Sequence, residues 1–349
     1  MIDRQHASTA SLDEVRAEEV LERFRQPIED ALHRALDDRP AAIYRLLRYH
    51  LGLDGESPPQ GKALRPTLCL LTCDALGGDY HRALPAAASI ELIHNFSLIH
   101  DDIQDGDELR RGRPTIWMEW GMPQAINAGD AMFAIATLTL RDLRPAVSDA
   151  DVVEAMSVMH EATREMIEGQ FLDVGYEDVP VVTLDEYLEM IRCKTGALLR
   201  ASIELGALMA GASSATRLCC RRFGEAIGRL FQIRDDMLGV WGESETTGKS
   251  AENDIRRKKK SLPIVMALSM AEERDRSALL SIYGQEDLSS TDVQRVQSIF
   301  EGLCVKQRAQ ALADEAHDRA LSLVEDIPFT DRGRAEVLSL VSFLLERDH

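Results

Sequence analysis

The sequence predicts an all-α fold, a single bundle of long helices, from three observations. Apolar residues recur at helical spacing in segment after segment, as in Ile90, Ile93, Phe96 and Ile99 or Leu64, Leu68, Leu71 and Ala75. Hydrophobic residues make up 45% of the 349 and aromatics only 5%, so aliphatic side chains must fill a large core. Composition shifts nowhere along the chain, which makes 1–349 one domain with a flexible start over 1–10.

Charge and cysteine usage narrow the class. A formal charge of -19 excludes the basic stripe of a nucleic-acid binder. Any anion site in such a chain has to gather its cations locally. Cys69, Cys73, Cys193, Cys219, Cys220 and Cys304 lack zinc spacing and fall in apolar helical patterns, as buried reduced thiols of a cytoplasmic protein do. The acidic N-terminus does not read as a signal or transit peptide. No apolar run approaches the roughly 18 residues of a transmembrane segment.

Residues 11–53 read as two or three helices, opened by a Ser11–Glu14 capping box, interrupted at Pro27 and closed at Asp38 to Pro40. A Gly/Pro loop over 55–61 leads into GKALRPTLCLLTCDA, whose first turn carries Lys62 and Arg65. Cations are disfavoured at a helix start and anions favoured, so this pair is either two surface cations or the cradle of a diphosphate.

The next helix ends in Asp101, Asp102 and Asp105, with His94 two turns earlier on nearly the same face. Carboxylates at a helix C-terminus oppose its partial negative charge and call for a cation. Asp101 and Asp105, four residues apart, share one face as ligands of a hard divalent ion would. A solvated acidic helix end is the plainer reading of those residues alone. Arg110, Arg111 and Arg113 follow in a turn-rich segment, and carboxylates beside guanidinium groups suit a metal-bound polyphosphate.

HDDIQDGDELRRGRPT resembles the first aspartate-rich motif of the trans-isoprenyl diphosphate synthases, the polyprenyl synthetase family. The resemblance implies helices around a central apolar cavity, of the isoprenoid synthase class I type. It also implies magnesium held by Asp101, Asp102, Asp105 and Asp235, with three ions when substrate is bound. GKALRP is similar to the family's diphosphate-binding GGKRxRP, with Gln60 and Ala63 departing and Lys62 and Arg65 matching. Those two, His94 and Arg111 are thereby expected on isopentenyl diphosphate, with Arg110 beside them.

Further motifs follow in order. Residues 120–142 form an apolar helix rich in small residues around Asp130, similar to the family's dimer helix, which implies a homodimer. Residues 150–174 end in Gln170 and Asp173, similar to the family's GQxxD. A helix over 184–210 contains Lys194, Thr195 and Gly196. Glycine inside a helix costs about 1 kcal/mol relative to alanine, which a kink aiming Lys194 into a cavity would justify. The family's KT pair holds the allylic diphosphate.

In the helix over 215–241, Phe231, Gln232, Asp235 and Asp236 match FQxxDD, but Gly239 stands where a third aspartate is usual. Glu243, one turn on, is a candidate to compensate. The loop over 242–261, with Lys249, Asp254 and the run Arg256 to Lys260, resembles the family's lid, in which lysines including Lys259 and Lys260 close on the allylic diphosphate. A solvated basic face is the alternative. Residues 262–349 read as four or five amphipathic helices without visible chemistry, turning near Gly284, Ser289 and Pro328.

The resemblance therefore implies a prenyltransferase condensing isopentenyl diphosphate with allylic diphosphates. Asp101, Asp102, Asp105, Lys194, Asp235 and Asp236 carry the chemistry, and Thr195 and Gln232 line the allylic site. Phe96, five residues before Asp101, with Ser97 beside it, sets chain length and implies geranylgeranyl diphosphate, farnesyl diphosphate being the alternative. A class I terpene cyclase would not need Lys62, Arg65 and His94; a non-catalytic modulating subunit is suggested only by Gly239.

Overall fold

A computed structural model describes residues 16–36, 41–55, 63–242 and 252–346. The chain is an all-α bundle, its only strands among the described residues being a minimal hairpin. Outer helices α1 (Ala17–Leu36) and α2 (Ala42–Leu51) lead to α3 (Leu64–Ala75) and α4 (Leu84–Gln104). Pro27 does not interrupt α1 as the sequence suggested. The buried stripe Val20, Phe24, Ile28 and Ala31 runs past it unbroken, and burial outweighs the lost backbone hydrogen bond. The Ser11–Glu14 box and Asp38 to Pro40 lie outside the described residues.

After α4 the chain makes the hairpin β1 (Leu109–Arg110) and β2 (Arg113–Pro114), paired antiparallel with Arg110 opposite Arg113. Arg111 and Gly112 form its tip with φ of 53° and 77°, the positive values a two-residue turn needs. Short α5 (Ile116–Trp120) precedes α6 (Met122–Thr139), which lies along α4, and α7 (Asp149–Glu177), which a Ser148–Asp151 capping box starts.

The predicted kink near Gly196 is a break in regular geometry. The segment divides into α8 (Leu184–Ile191), a π-helical turn over Arg192–Gly196, and α9 (Ala197–Met209). Then α10 (Ser214–Trp241) packs against α9, and α9 against α3. A short α11 (Asn253–Arg256) is followed by α12 (Leu262–Met270), α13 (Glu273–Tyr283), α14 (Ser290–Gly302), α15 (Val305–Glu325) and α16 (Asp331–Glu346). Gly284 caps α13 and Ser289 starts α14, as their residue types imply.

The core is continuous and largely aliphatic, running from Phe24 and Leu47 through Ile90, Ile93 and Leu199 to Leu230 and Phe300. Four cysteines are buried as expected, while Cys219 is half-buried. Cys304 departs from the expectation, lying exposed at the N-cap of α15 with φ of 53°. No helix among the described residues is long and apolar enough to cross a membrane.

Candidate active site between two acidic helices

α4 and α10 bring Asp101 and Asp235 to the wall of one cavity of about 390 Å³. Lys194, Thr195, Gln232, Arg65 and His94 line the same space, and Phe96, Met166, Leu198 and Phe231 give it an apolar lining. One end can therefore hold charge and the other hydrocarbon.

The two clusters are not symmetric. Burial pushes the Asp101 carboxyl up to about 6 and also raises Asp105, with nearby Lys194 opposing. Asp102 turns away: it is buried, and its Oδ1 accepts from Arg110 Nε at 2.7 Å. Its Oδ2 is buried without a hydrogen-bond partner. Asp102 and Arg110, expected on metal and on phosphate, are paired with each other here. Arg113 pairs with Asp54 at 2.7 Å and lies over the Tyr49 ring, which leaves Arg111 as the hairpin arginine without an ion pair among the described residues.

In the second cluster Asp235 is exposed toward the cavity, while Asp236 faces inward. Asp236 accepts from Tyr187 Oη at 2.6 Å, the Leu262 amide at 2.7 Å and Gln232 Nε2 at 2.7 Å. Burial still lifts its pKa to about 6. It holds Gln232, which in turn accepts from Thr195 Oγ1 at 2.6 Å. Tyr187 was invisible in the sequence, since nothing local links it to a residue 49 positions away.

Lys194 owes its place to the π turn, a common device where a helix must re-aim a side chain. A Cβ at Gly169 would lie 2.1 Å from the Lys194 amide nitrogen, and one at Gly228 2.6 Å from Gly196 Cα. Only glycine lets α7 and α10 close on the turn from two sides. Lys194 Nζ pairs with Asp173, and Gln170 reaches Gln104 at 2.8 Å, so the GQxxD residues brace the rim of the first cluster.

On the α3 side, Arg65 Nη1 stands 3.2 Å from His94 Nε2. Burial, then the charges of Arg65, Arg111 and Arg110, hold the His94 pKa well below its ordinary value. Its imidazole is neutral and accepts from Arg65. His50, unremarked in the sequence, lines a cleft with Arg111 and is likewise held neutral, burial lowering it to about 3. Lys62, Lys249 and Glu243 lie outside the described residues, so no structural role is assigned to them.

The basic run is mostly docked. Arg256 pairs with Glu252, Arg257 with Asp107, and Lys258 Nζ donates to the Gln285 carbonyl. Lys260 lies 5.5 Å from the Tyr283 ring centre. Lys259 alone faces the acids. Desolvation pulls its pKa down, but Asp236, Asp254, Asp173 and Asp235 more than reverse this.

Among the described residues no three acidic, His or Cys side chains form a ready-made metal cage. Magnesium fits nonetheless: it commonly takes one or two carboxylates and completes its shell with water and substrate phosphate. Asp101, desolvated at the end of its helix, and Asp235 across the cavity suit that shared ligation.

Paired acids above an apolar hollow in an all-α bundle, with Arg65 and His94 on the same wall for a second diphosphate, fit a prenyltransferase of the isoprenoid synthase type. A family model described as Polyprenyl synthetase matches residues 53–301, and the chain belongs to that family. It is 39% identical over 310 residues, 86% of this chain and 85% of the relative, to a (2E,6E)-farnesyl diphosphate synthase of Mycobacterium tuberculosis. To a geranylgeranyl diphosphate synthase of the same organism it is 36% identical over 312 residues, 88% of each chain. The crystal structure of a polyprenyl synthetase from Streptomyces coelicolor superposes with a TM-score of 0.87 at 34% identity, covering 94% of this chain and 99% of that one.

Proposed function

We propose that the protein condenses isopentenyl diphosphate with allylic diphosphates as a short-chain prenyltransferase, releasing geranylgeranyl diphosphate. The carrying observation is the convergence of Asp101 and Asp235 from separate helices on one cavity that also holds Lys194, Arg65 and His94.

Asp101, Asp105 and Asp235 would hold magnesium, which when bound neutralises a diphosphate and makes it a leaving group. Lys194 and Thr195 orient the allylic diphosphate so that its tail enters the apolar hollow. Breaking the allylic C–O bond leaves a carbocation that the apolar walls shield from water. Arg65, neutral His94 and Arg111 hold the homoallylic diphosphate. Its double bond attacks the cation, and the departing diphosphate accepts the proton that is lost. No side-chain nucleophile is required.

Phe96 supports the product assignment. It lines the cavity and packs edge-on to Phe133, the ring centres 5.4 Å apart. A farnesyl product is the second reading, since the two mycobacterial relatives differ in that respect at similar identity. We further infer a cytoplasmic homodimer. Ile126 and Leu138 on α6 and Val153, Ile167 and Phe171 on α7 are exposed apolar residues of the kind that cover one another.

Incubation with dimethylallyl and radiolabelled isopentenyl diphosphates, with and without magnesium, tests the reading. A prenyl diphosphate formed only with the metal supports it, and chromatography of that product separates geranylgeranyl from farnesyl. Hydrocarbon released from a preformed prenyl diphosphate would mark a cyclase, and no turnover of either a scaffold subunit.

A further inference from the structure

A second cavity, of about 530 Å³, opens between α8, α10 and α15 and shares no lining residue with the one that holds Asp101 and Asp235. Four guanidinium groups line it: Arg192 on the π turn, Arg222 and Arg229 two turns apart on α10, and Arg319 on α15. The π turn serves both spaces, since Lys194 and Thr195 line the first.

Arg192 is satisfied within the fold. Its Nε and Nη2 donate to Glu189 at 2.8 and 2.6 Å, and its Nη1 to Glu165 at 3.3 Å. Of the other acids lining the groove, Glu225 lies 3.8 Å from Arg200 and Asp185 stands in the first turn of α8. Arg222, Arg229 and Arg319 have no ion-pair or hydrogen-bond partner among the described residues. Arg229 Nε is moreover buried without an acceptor, and a buried donor left unpaired lowers stability. Acidic residues outnumber Lys and Arg in this chain by 59 to 40, so three unpaired guanidinium groups meeting in one groove run against its composition.

Guanidinium forks match phosphate oxygens two at a time, and forks set on two helices suit an anion with two phosphate groups better than one. Leu188, Ile191 and Ala226 line the same groove and place an apolar surface beside the charge.

We propose that Arg222, Arg229 and Arg319 form a second diphosphate site, outside the reaction cavity and needing no metal. Its two sources of ligand are free pyrophosphate and the head of a prenyl diphosphate, whose tail the apolar strip would cover. The site is defined by its arginines and stands apart from the prenyltransferase reading.

Equilibrium dialysis of radiolabelled inorganic pyrophosphate against the full chain, with a chelator in place of magnesium, tests it. Arg222 and Arg319 are exposed, so R222Q/R319Q should fold as wild type does, which melting curves check. This variant should bind one equivalent fewer per chain, or bind that equivalent at least about tenfold more weakly, as loss of charge-assisted hydrogen bonds implies. R65Q, altered in the reaction cavity, should retain the groove's equivalent. Equal stoichiometry and affinity in wild type and R222Q/R319Q overturn the proposal. So does displacement by inorganic phosphate as effective as by pyrophosphate, which would mark an unselective basic patch. Competition by a prenyl thiodiphosphate tighter than by pyrophosphate assigns the ligand to a prenyl chain, and equal competition assigns it to the free anion. Dialysis requires no turnover, so its result is independent of whether the condensation assay succeeds.

Discussion

Nε of Arg110 and Nη2 of the same guanidinium each lie 2.7 Å from Oδ1 of Asp102, so the middle acid of the first cluster is held by the hairpin that follows it. The pair ties the end of α4 to β1 and fixes the direction in which Asp101 and Asp105 project. Arg110→Ala leaves a buried carboxylate unpaired and should cost about 2–4 kcal/mol of stability, Arg110 being partly exposed. Arg110→Lys should recover only part, lacking the fork. Urea denaturation measures both, and wild-type stability in Arg110→Ala contradicts this role.

Tyr187 supports the second cluster from behind. Tyr187→Phe removes the hydroxyl that donates to Asp236 and should destabilise the protein by about 1–3 kcal/mol. Burial holds the Asp236 pKa near about 6, so the loss should be larger at pH 7.5, where Asp236 is ionised, than at pH 5. Guanidinium melts at the two pH values decide; equal losses would mean that the hydrogen bond does not serve the charged form.

Asp101 gives a signed pH effect. Burial lifts its carboxyl from 3.8 to about 6, so the native state binds this proton more tightly than the unfolded chain. Its contribution is complete below about pH 3.8, falls as pH climbs, and is lost above about pH 6. Without metal, Asp101→Asn should therefore be more stable than wild type by about 1–3 kcal/mol at pH 7.5 and nearly equal to it near pH 4. Thermal melts in a chelating buffer measure the difference, and the reverse order of stability would refute it.

Phe96 lines the cavity and packs against the Phe133 ring. Phe96→Ala should open the hollow toward Phe133 and shift the product to longer prenyl chains, at a stability cost of about 3 kcal/mol for the deleted ring. Reversed-phase chromatography of the dephosphorylated products reads the shift. An unchanged product length would place the floor elsewhere.

Much of this protein was legible in its residues taken alone. Helical periodicity, capping signals and the spacing of Asp101 to Asp105 and of Phe231 to Asp236 are local properties, set by 3.6 residues per turn and by which side chains tolerate burial. They dictated an all-α bundle and named most of the cavity wall, down to the kink beside Lys194. Which carboxylate faces the cavity and which is spent on the scaffold was decided only by packing between distant segments. Asp102 and Asp101 are adjacent in sequence, as are Asp236 and Asp235, yet Arg110, Tyr187 and the Leu262 amide capture one of each pair. Lys260 and Lys259 divide in the same way, one to the Tyr283 ring and one to the acids.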